Sequence, residues 1–397
     1  MAERALEGLR ILDLTRVVAG PFATALLADL GADVVKVERP GPGDDYRFGP
    51  APPGETSLSF QNQNRGKRSI TLDLRTERGR ELLLALVDRA DAVVENFRVG
   101  WMEKRGLGPA VIQQRNPRCV FASLSGFGRT GPAAGRASYD IIAQASGGLM
   151  AMTGFEDGPP VRGGGALGDY IGGLYLGLGI VAALLERERG GPARVLDLSN
   201  QDAVFSVTDS ALTIFEGLGV ASRRLGNDHP FACPYGAFEA LDGWVAIATA
   251  SNRLFRRLCA AIGRPELGRD ARYADHRARS ARRAELHALI GAWVAERDCD
   301  AVVRVLGPDG ADLPCARVAY PEELRDDPQL LARGMVERHP HPTLGRIAFS
   351  GNPLRLSGTS ARERPLAPAL GEHNAEVYAE IGLDADALAR LAADGVV

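Results

Sequence analysis

One stretch decides the fold of this chain: Gly163-Gly164-Gly165-Ala166-Leu167-Gly168-Asp169-Tyr170-Ile171-Gly172-Gly173. It joins a glycine-rich loop to a single carboxylate and an apolar segment. Residues 170–185 carry no charge, and Gly190-Gly191 follows the charged residues 186–189. The pattern predicts a helix that begins at Asp169 and ends at these glycines. Because this segment is apolar on all sides, we expect a buried core helix. Its sixteen uncharged residues are too few to span a membrane, which takes about 20.

Asp169 stands at the predicted N-terminus of this helix. A carboxylate in that place faces unpaired N–H groups and the positive end of the helix dipole, which keep it ionised and favour an oxyanion nearby. This arrangement suits covalent catalysis, and we predict that Asp169 is the catalytic nucleophile. Aspartate is also a favoured N-cap residue, so a purely structural cap is the alternative. The local pattern alone favours the cap, whereas the rest of the chain favours the nucleophile.

Length and composition indicate a soluble protein of two domains. A chain of 397 residues exceeds what one core usually organises, and 45% apolar and 24% charged residues are ordinary for a globular protein. A net charge of −3 gives no general argument for nucleic acid or membrane as a partner. The charged residues 1–7 do not resemble a signal peptide, so we expect a cytoplasmic location. The five cysteines are widely spaced without a Cys-x-x-Cys pair, which argues against disulfides and against a zinc site.

The chain begins with a βαβ unit and continues with alternating strands and helices, which predicts an α/β fold with a mostly parallel sheet. The first turn lacks the three spaced glycines of a dinucleotide fingerprint, so nicotinamide chemistry is disfavoured. The predicted strands of the large domain are 9–15, 34–38, 69–73, 92–95, 120–124 and 194–198, with helices at 21–30, 77–88, 109–115, from 139 onward and at 200–215. Later predicted elements are a hairpin over 237–250, helices at 253–262 and 282–296, strands at 347–349 and 354–356, and a closing helix from about 371.

The predicted domains are a large Rossmann-like domain over 1–216, a linker over 217–236, a small α+β domain over 237–325 and a C-terminal segment over 326–397 that returns to the large domain. Ligands of such a sheet bind outside the carboxyl ends of its strands. Several cations lie near those ends and could gather there to bind a ligand with several phosphates; alternatively, each is a solvated surface charge. They are Arg39, Arg98, Arg65, Lys67, Arg68, Lys104 and Arg105.

Several ordered motifs then point to a known family. They are Leu12-Asp13-Leu14-Thr15 through Ala19-Gly20-Pro21, Leu30-Gly31-Ala32-Asp33-Val34-Val35-Lys36-Val37-Glu38, Arg65-Gly66-Lys67-Arg68-Ser69, Val94-Glu95-Asn96-Phe97, Gly165-Ala166-Leu167-Gly168-Asp169 and Leu370-Gly371-Glu372-His373. Over essentially its whole length the chain resembles the class III CoA-transferases, the group of formyl-CoA and carnitine CoA-transferases. In that family the aspartate of the Gly-Asp motif is the nucleophile, and Asp169 matches it.

The resemblance implies two elongated, interlocked subunits and hence a homodimer, with acyl-CoA and a small carboxylic acid as partners. It implies a CoA site at which Arg39, Leu72, Asn96, Phe97 and Lys104 match binding positions, and places Val18 and Tyr139-Asp140 near the thioester. Two features depart from the pattern. The lysine that precedes the tyrosine in some members is Ala137 here, with Arg136 as a substitute, and the tetraglycine loop of the formyl-CoA enzymes is absent near Gly226.

The expected chemistry uses CoA as a substrate and no further cofactor or metal. Asp169 attacks the acyl-CoA carbonyl, and a mixed anhydride and an aspartyl-CoA thioester follow. Backbone N–H groups near Gly168 and Tyr170 are the expected oxyanion donors. Short C4 or C5 dicarboxylic acids are the expected substrates, with transfer between two molecules or within one, because Arg16 and Arg47 could pair with a distal carboxylate.

Two alternatives stay open. The related α-methylacyl-CoA racemases share the fold but transfer a proton with a His and Asp pair; their histidine stands where this chain has Tyr139, which favours CoA transfer. The second alternative is a CoA-binding regulator without catalysis, which the intact Gly168-Asp169 element disfavours.

Overall fold

Three sheets are present in the computed structural model, which describes residues 4–357 and 365–397. The first consists of β1 (Arg10–Asp13), β2 (Asp33–Glu38), β3 (Arg68–Thr71), β4 (Ala92–Glu95), β5 (Val120–Ser125) and β6 (Val195–Ser199). The second is antiparallel and contains β7 (Tyr235–Ala240), β8 (Gly243–Ala248) and β9 (Cys315–Arg317), and the third pairs β10 (Val336–His341) with β11 (Gly345–Ser350).

The six-stranded sheet has the order β3-β2-β1-β4-β5-β6, and every neighbouring pair is parallel. This confirms the predicted α/β class with a parallel sheet. From β1 the chain moves outward to β3 and then returns to the other side of β1 with β4. The carboxyl ends of β1 and β4 therefore border the crevice in which sheets of this order bind their ligands.

The helices follow the strands in the alternation that the sequence predicts for the large domain. In chain order they are α1 (Ala19–Asp29), α2 (Leu58–Asn64), α3 (Glu77–Val87), α4 (Pro109–Arg115), α5 (Asp140–Ser146), α6 (Leu149–Met152), α7 (Leu167–Glu188), α8 (Asn200–Ser206), α9 (Ala211–Leu218), α10 (Asn252–Ala261), α11 (His276–Ser280), α12 (Arg283–Ala295), α13 (Cys299–Leu306), α14 (Pro328–Ala332), α15 (Asn374–Ala379) and α16 (Ala385–Ala393).

The parallel sheet is buried on both faces. Strand residues alternate between the faces, so Leu12 of β1 packs into a core with α3, α4, α15 and α16, whereas Ile11 packs into a core with α1 and α7. The C-terminal helices are fixed to the sheet edge, because the Tyr378 hydroxyl donates to the carbonyl of Thr71 at 2.7 Å. Helices α15 and α16 therefore complete the core that β1 to β3 begin.

Helix α7 is 22 residues long, six more than the uncharged segment, because it also takes in Leu167, Gly168 and Asp169 and the charged residues 186–188. By length and composition it could cross a membrane, and 44% of its most apolar window is buried in the fold. A core helix of a soluble protein has the same length and composition. Length and composition therefore do not by themselves indicate a membrane protein.

Two predicted elements are wrong. The predicted helix 200–215 is interrupted between α8 and α9, where Asp209 adopts a left-handed φ of 53° that an α-helix does not contain. The predicted strand 354–356 is irregular, and the partner of β11 is β10, which precedes it in the chain. A short turn at residues 342–344 joins this pair into a hairpin.

The chain divides into two compact units. The first contains residues up to 150, residues 162–220 and residues from 331 onward; the second contains 151–161 and 221–330. The predicted boundaries differ at 151–161, which group with the second unit because the Gly226 amide donates to the Gly154 carbonyl at 2.8 Å. Val245, Ile290 and Val302 lie at the centre of the second unit's core.

Candidate active site

Two adjoining cavities open at the carboxyl ends of β1 and β4. The larger has a volume of about 300 Å³ and is called the Asp169 cavity. The smaller has a volume of about 190 Å³ and is called the Arg39 cavity. Arg16 and Phe97 line both cavities, so the two form one continuous site at the point where the strand order reverses.

Most of the residues predicted from the sequence line these cavities. Those in the Asp169 cavity are Arg16, Val18, Asn96, Phe97, Arg136, Ala137, Tyr139 and Asp169. Those in the Arg39 cavity are Arg16, Arg39, Leu72 and Phe97. Lys104, Asp140 and Arg47 are not among the lining residues of either cavity. The Arg39 cavity is lined by Arg105, the residue that follows Lys104 in the chain.

Asp169 lies in the first turn of α7, half-buried, with its carboxylate toward the larger cavity. Asn200 at the start of α8 donates from Nδ2 to Asp169 Oδ1 at 3.1 Å. Burial and the nearby charge of Asp140 raise the pKa of Asp169 to about 6, while the hydrogen bond from Asn200 opposes that rise. The sequence analysis missed Asn200, although its place directly after β6 was a signal that it lies at the same sheet edge.

Asp140 supports the start of α7 instead of lining the cavity. Its Oδ1 accepts from the amide of Gly168 at 2.8 Å and from that of Asp169 at 3.4 Å. Gln144 Nε2 and Arg162 Nη1 hold the same carboxylate at 2.9 and 3.2 Å. A side chain on α5 thus caps α7, which is why α7 begins at Leu167 and Asp169 is free of a capping role.

The amides of Gly168 and Tyr170 are not free for an oxyanion, which corrects the prediction for them. The first donates to the capping carboxylate just described, and the second donates to the carbonyl of Ala166 at 2.9 Å. The N-terminus of α1 lies on the other wall of the cavity, with Val18 and Ala19 among its lining residues. Within the described chain, neither the Val18 amide nor the Ala19 amide donates to a protein acceptor.

Close packing at this site depends on glycine at two positions. A Cβ on Gly172 of α7 would lie 1.9 Å from Oδ1 of Asn200, so only glycine lets Asn200 come near enough to reach Asp169. A Cβ on Gly20 of α1 would lie 2.3 Å from Cβ of Thr15. Glycine at that position therefore permits the sharp turn between β1 and α1.

Arg16 is fixed by its backbone and by its guanidinium. Asn96 accepts from the Arg16 amide and donates to the Arg16 carbonyl, both at 2.9 Å. The guanidinium lies 5.2 Å from the ring centre of Phe97 and 3.6 Å from the carboxylate of Asp45. Arg39 shares Asp45, with Nη2 2.6 Å from its Oδ1. Two guanidinium groups thus meet one exposed carboxylate where the cavities join.

Arg47 has a structural role, contrary to the prediction that it faces an acid substrate. Its guanidinium is buried, pairs with both carboxylate oxygens of Glu38 at 2.6 and 2.7 Å and donates to the carbonyl of Pro368 at 3.2 Å. It also lies 3.9 Å from the ring centre of Phe60. These contacts occupy the guanidinium, so Arg16 is the one of the two predicted arginines that faces the cavities.

Three of the basic residues predicted to gather at a phosphate site are used inside the fold. Lys67 is buried and bonded to Asp13 at 2.9 Å, and burial lowers the pKa of Lys67 to about 8 although Asp13 opposes the change. Arg68 pairs with Asp33 and Glu380, and Arg65 is buried with a hydrogen bond to the Ser350 carbonyl. The predicted cationic edge is therefore smaller than the sequence implies.

In the described ranges 4–357 and 365–397, no His, Cys, Asp and Glu side chains form a group of three that could hold a metal ion.

Comparison with known proteins identifies the family. The model of CoA-transferase family III matches residues 6–374. The chain belongs to CoA-transferase family III. A solved family relative, a CaiB/BaiF family protein from Brucella suis, has 37% identity and a TM-score of 0.85, covering 96% of this chain and 100% of that one.

Relatives of this chain are named as CoA-transferases. The chain is 41% identical to a succinyl-CoA:mesaconate CoA-transferase of Haloarcula hispanica, over 96% of this chain and 97% of the relative. It is 38% identical to a succinyl-CoA–D-citramalate CoA-transferase of Chloroflexus aurantiacus, over 99% and 98%. The family and these relatives support CoA transfer as the activity of the site.

Proposed function

We propose that this family III enzyme moves CoA from an acyl-CoA thioester to a free carboxylic acid through covalent intermediates on Asp169. The observation that carries the proposal is a half-buried carboxylate that faces the larger cavity with its pKa raised to about 6. Such a group is mostly ionised at neutral pH but less solvated than a surface carboxylate. It is therefore a better nucleophile toward a carbonyl carbon.

The two cavities suggest where the parts of CoA bind. Arg39 and Arg105 give the smaller cavity positive charge for phosphate groups, and Leu72 and Trp101 give it apolar walls for the adenine ring. From there the pantetheine arm passes Phe97 into the larger cavity, where the thioester meets Asp169. Arg136 and Tyr139 also line that cavity.

The reaction proceeds in four exchanges at carbonyl carbons. A carboxylate oxygen of Asp169 attacks the thioester carbon, the C–S bond breaks, and a mixed anhydride and CoA thiolate form. The thiolate attacks the side-chain carbonyl of Asp169, which releases the donor acid and leaves an aspartyl-CoA thioester. The acceptor carboxylate attacks that thioester to give a second anhydride and CoA thiolate again. Attack of the thiolate on the acceptor's carbonyl completes the new acyl-CoA and restores Asp169.

No step in this sequence has a net redox change or needs an activated nucleotide, so we propose that the enzyme uses neither a metal nor a second cofactor. Each tetrahedral intermediate places negative charge on an oxygen. The amides of Val18 and Ala19 at the N-terminus of α1, which carries the positive end of the helix dipole, are the donors that we assign to it.

We further propose that the acids are C4 or C5 dicarboxylates. Both relatives named above act on succinyl-CoA, and Arg16 presents a guanidinium at the junction of the cavities. A distal carboxylate would replace Asp45 as the partner of that guanidinium, with two parallel hydrogen bonds. Transfer within one molecule and transfer between two acids both agree with this arrangement.

The deciding experiment compares wild type, Asp169→Asn and Glu186→Gln. Both replaced carboxylates belong to α7, but Glu186 is paired with Arg194 at the far, exposed end. We expect Asp169→Asn to lose at least about 10⁴-fold in kcat, as removal of a nucleophile does, and Glu186→Gln to keep wild-type activity. Wild type mixed with succinyl-CoA should show a CoA adduct on the peptide that contains Asp169, and addition of mesaconate or citramalate should remove that adduct and form the new CoA ester.

Substantial activity in Asp169→Asn, with an unchanged unfolding midpoint in urea, would contradict the nucleophile assignment. The racemase alternative has its own readout, which is solvent deuterium entering the α-position of an acyl-CoA. Tyr139 lies in the cavity where the racemases have histidine, and Asp140 is bound to the amides of α7, so we expect no such exchange.

A further inference from the structure

The turn between β1 and α1 is the shared wall of the site. Thr15 and Arg16 line the Arg39 cavity, and the residues from Arg16 to Ala19 line the Asp169 cavity. In the middle of this turn Val17 has a φ of 69°, in the left-handed region. A β-branched side chain is strained there, because its branches meet the backbone. The surrounding structure must therefore hold Val17 in place.

Asp44 holds it. The Val17 amide lies 3.1 and 3.3 Å from the two carboxylate oxygens of Asp44, which is 1% exposed. The fully buried ammonium of Lys36 pairs with Asp44 Oδ2 at 2.9 Å and also donates to the Thr15 carbonyl at 2.9 Å. The pair thus grips the turn at Thr15 and at Val17, directly before the first amides of α1.

The surroundings of Asp44 keep its carboxylate charged. Burial alone would raise the pKa of this carboxyl, but the Lys36 ammonium and the amides of Tyr46 and Val17 hold its pKa below the usual range. A buried ion pair is a poor source of stability, because desolvation of its charges offsets their attraction. One turn therefore contains the strained Val17, contacts the buried Lys36–Asp44 pair and lines both cavities. Fold stability alone does not explain this combination.

We propose that the Lys36–Asp44 pair is a positioning device that holds Val17 in its left-handed conformation and so aims the Val18 and Ala19 amides at the reacting carbonyl. This inference rests on the proposed transfer reaction at Asp169 and adds positioning residues to it. Without the pair, Val17 relaxes toward an extended φ, and rotation about its backbone turns the following peptide groups away from the cavity.

The test uses the tolerance of glycine for positive φ. Asp44→Asn keeps an acceptor near the Val17 amide but removes the charge that Lys36 binds. We expect kcat to fall about 10²-fold, as a displacement of about 1 Å in a catalytic group does, while KM for succinyl-CoA changes little. Val17→Gly occupies the left-handed region without strain, so Asp44→Asn/Val17→Gly should recover about tenfold in kcat. Val17→Gly alone is measured as the reference for the double variant, so that any direct effect of losing the Val17 side chain from the cavity wall is separated from the recovery.

Asp312→Gly is the matched control, because Asp312 also has a left-handed φ, of 48°, but is exposed and lies in the second unit. Added to Asp44→Asn, it should recover nothing. Urea unfolding separates positioning from stability: Asp44→Asn should lower the midpoint, and Val17→Gly should restore kcat without restoring that midpoint. If Asp44→Asn does not fold, Lys36→Met/Asp44→Leu removes both charges together and carries the same comparison with and without Val17→Gly.

The inference is overturned if kcat survives loss of the pair, if Val17→Gly gives no recovery, or if Asp312→Gly recovers as much. These outcomes differ from failure of the proposed function. Activity in Asp169→Asn contradicts the nucleophile whatever the Asp44 variants do. An inactive Asp169→Asn beside a fully active Asp44→Asn contradicts only the positioning role.

Discussion

At the scale of single residues, the environment of Asp169 lowers the stability of the folded protein and raises the reactivity of this carboxylate. The fold withdraws this carboxylate from water and places Asp140 nearby, and both effects raise its pKa, with one amide from Asn200 in opposition. An ionised aspartate with a raised pKa destabilises the folded state at neutral pH, because the native environment favours the protonated form. Enzymes commonly tolerate such a cost at the reacting group.

The first prediction concerns the pH dependence of kcat. Only the ionised carboxylate attacks, so activity should rise through a pKa of about 6 and level off above it. Asp140→Asn keeps an acceptor for the Gly168 amide but removes a negative charge, so the acid limb should move to lower pH. Steady-state rates from pH 4.5 to 8.5 measure both, with Glu186→Gln as a control that should match wild type.

A wild-type limb near the ordinary aspartate pKa of about 4, or the same limb in Asp140→Asn, would contradict the assigned cause of the shift.

The sequence could indicate Asp169, because a lone carboxylate after a glycine-rich loop is a local pattern, and the family motif carries it. It could not indicate that Asp140 caps α7 or that Asp44 grips Val17. Those contacts join residues far apart in the chain, and their acidic side chains look like ordinary loop or helix residues. Arg47 shows the converse case, since a loop arginine that suits a carboxylate substrate is buried against Glu38.

At the scale of elements, the site depends on how closely α7 lies to its neighbours. Helix α7 contacts α1, α5 and α8, and glycine at position 172 opens the space that Asn200 fills. The sequence predicts this helix from its apolar run, but it starts two residues earlier because its cap comes from α5. The gap between α8 and α9 escaped prediction because residues 200–215 contain no proline or glycine.

The second prediction follows from that spacing. Gly172→Ala should push Asn200 away and remove the hydrogen bond that lowers the pKa of Asp169, so the acid limb of kcat should move to higher pH. Gly177→Ala on the same helix is the control, because its Cβ would lie 3.9 Å from the Ala23 carbonyl, an ordinary contact. Both substitutions raise helix propensity by about 1 kcal/mol, so an effect of propensity alone would be the same in the two variants. The same shifted pH profile in both would therefore contradict the prediction.

At the scale of the whole molecule, an apolar surface remains in the first unit. Its members on α7, α8 and α9 are Leu174, Leu178, Phe205, Leu212, Phe215 and Leu218, which are 51–75% exposed. Exposed apolar surface of this kind marks an interface. The resemblance to interlocked dimers supplies the partner, and we propose that a second copy of the chain covers this surface.

The third prediction is that the purified protein sediments as a dimer and that Leu178→Asp shifts it toward the monomer. A charge placed in an apolar interface loses its hydration without gaining a partner. Gln114→Asp on the exposed side of α4 adds the same charge elsewhere and should leave the dimer intact. Analytical ultracentrifugation at several concentrations measures both; a monomeric wild type, or dissociation by Gln114→Asp as well, would contradict the proposed interface.

The parallel sheet follows from alternating strands and helices, and its order is the one expected of a Rossmann-like start. The alternation of strands and helices does not predict which unit contains residues 151–161. They lie between elements of the first unit in sequence, yet a backbone hydrogen bond at Gly226 joins them to the second. Local sequence patterns carry no information about such a contact.

The return of α15 and α16 to the edge of the sheet has a consequence for synthesis. Val377, Tyr378, Leu391 and Val396 complete the core around β1 to β3, and the Val396 carbonyl accepts from the Asp73 amide at 2.8 Å. During synthesis these residues leave the ribosome only after all six strands of the parallel sheet. The β3 side of the sheet is therefore uncovered while the chain is being made, and chaperones can bind that face before α15 and α16 cover it.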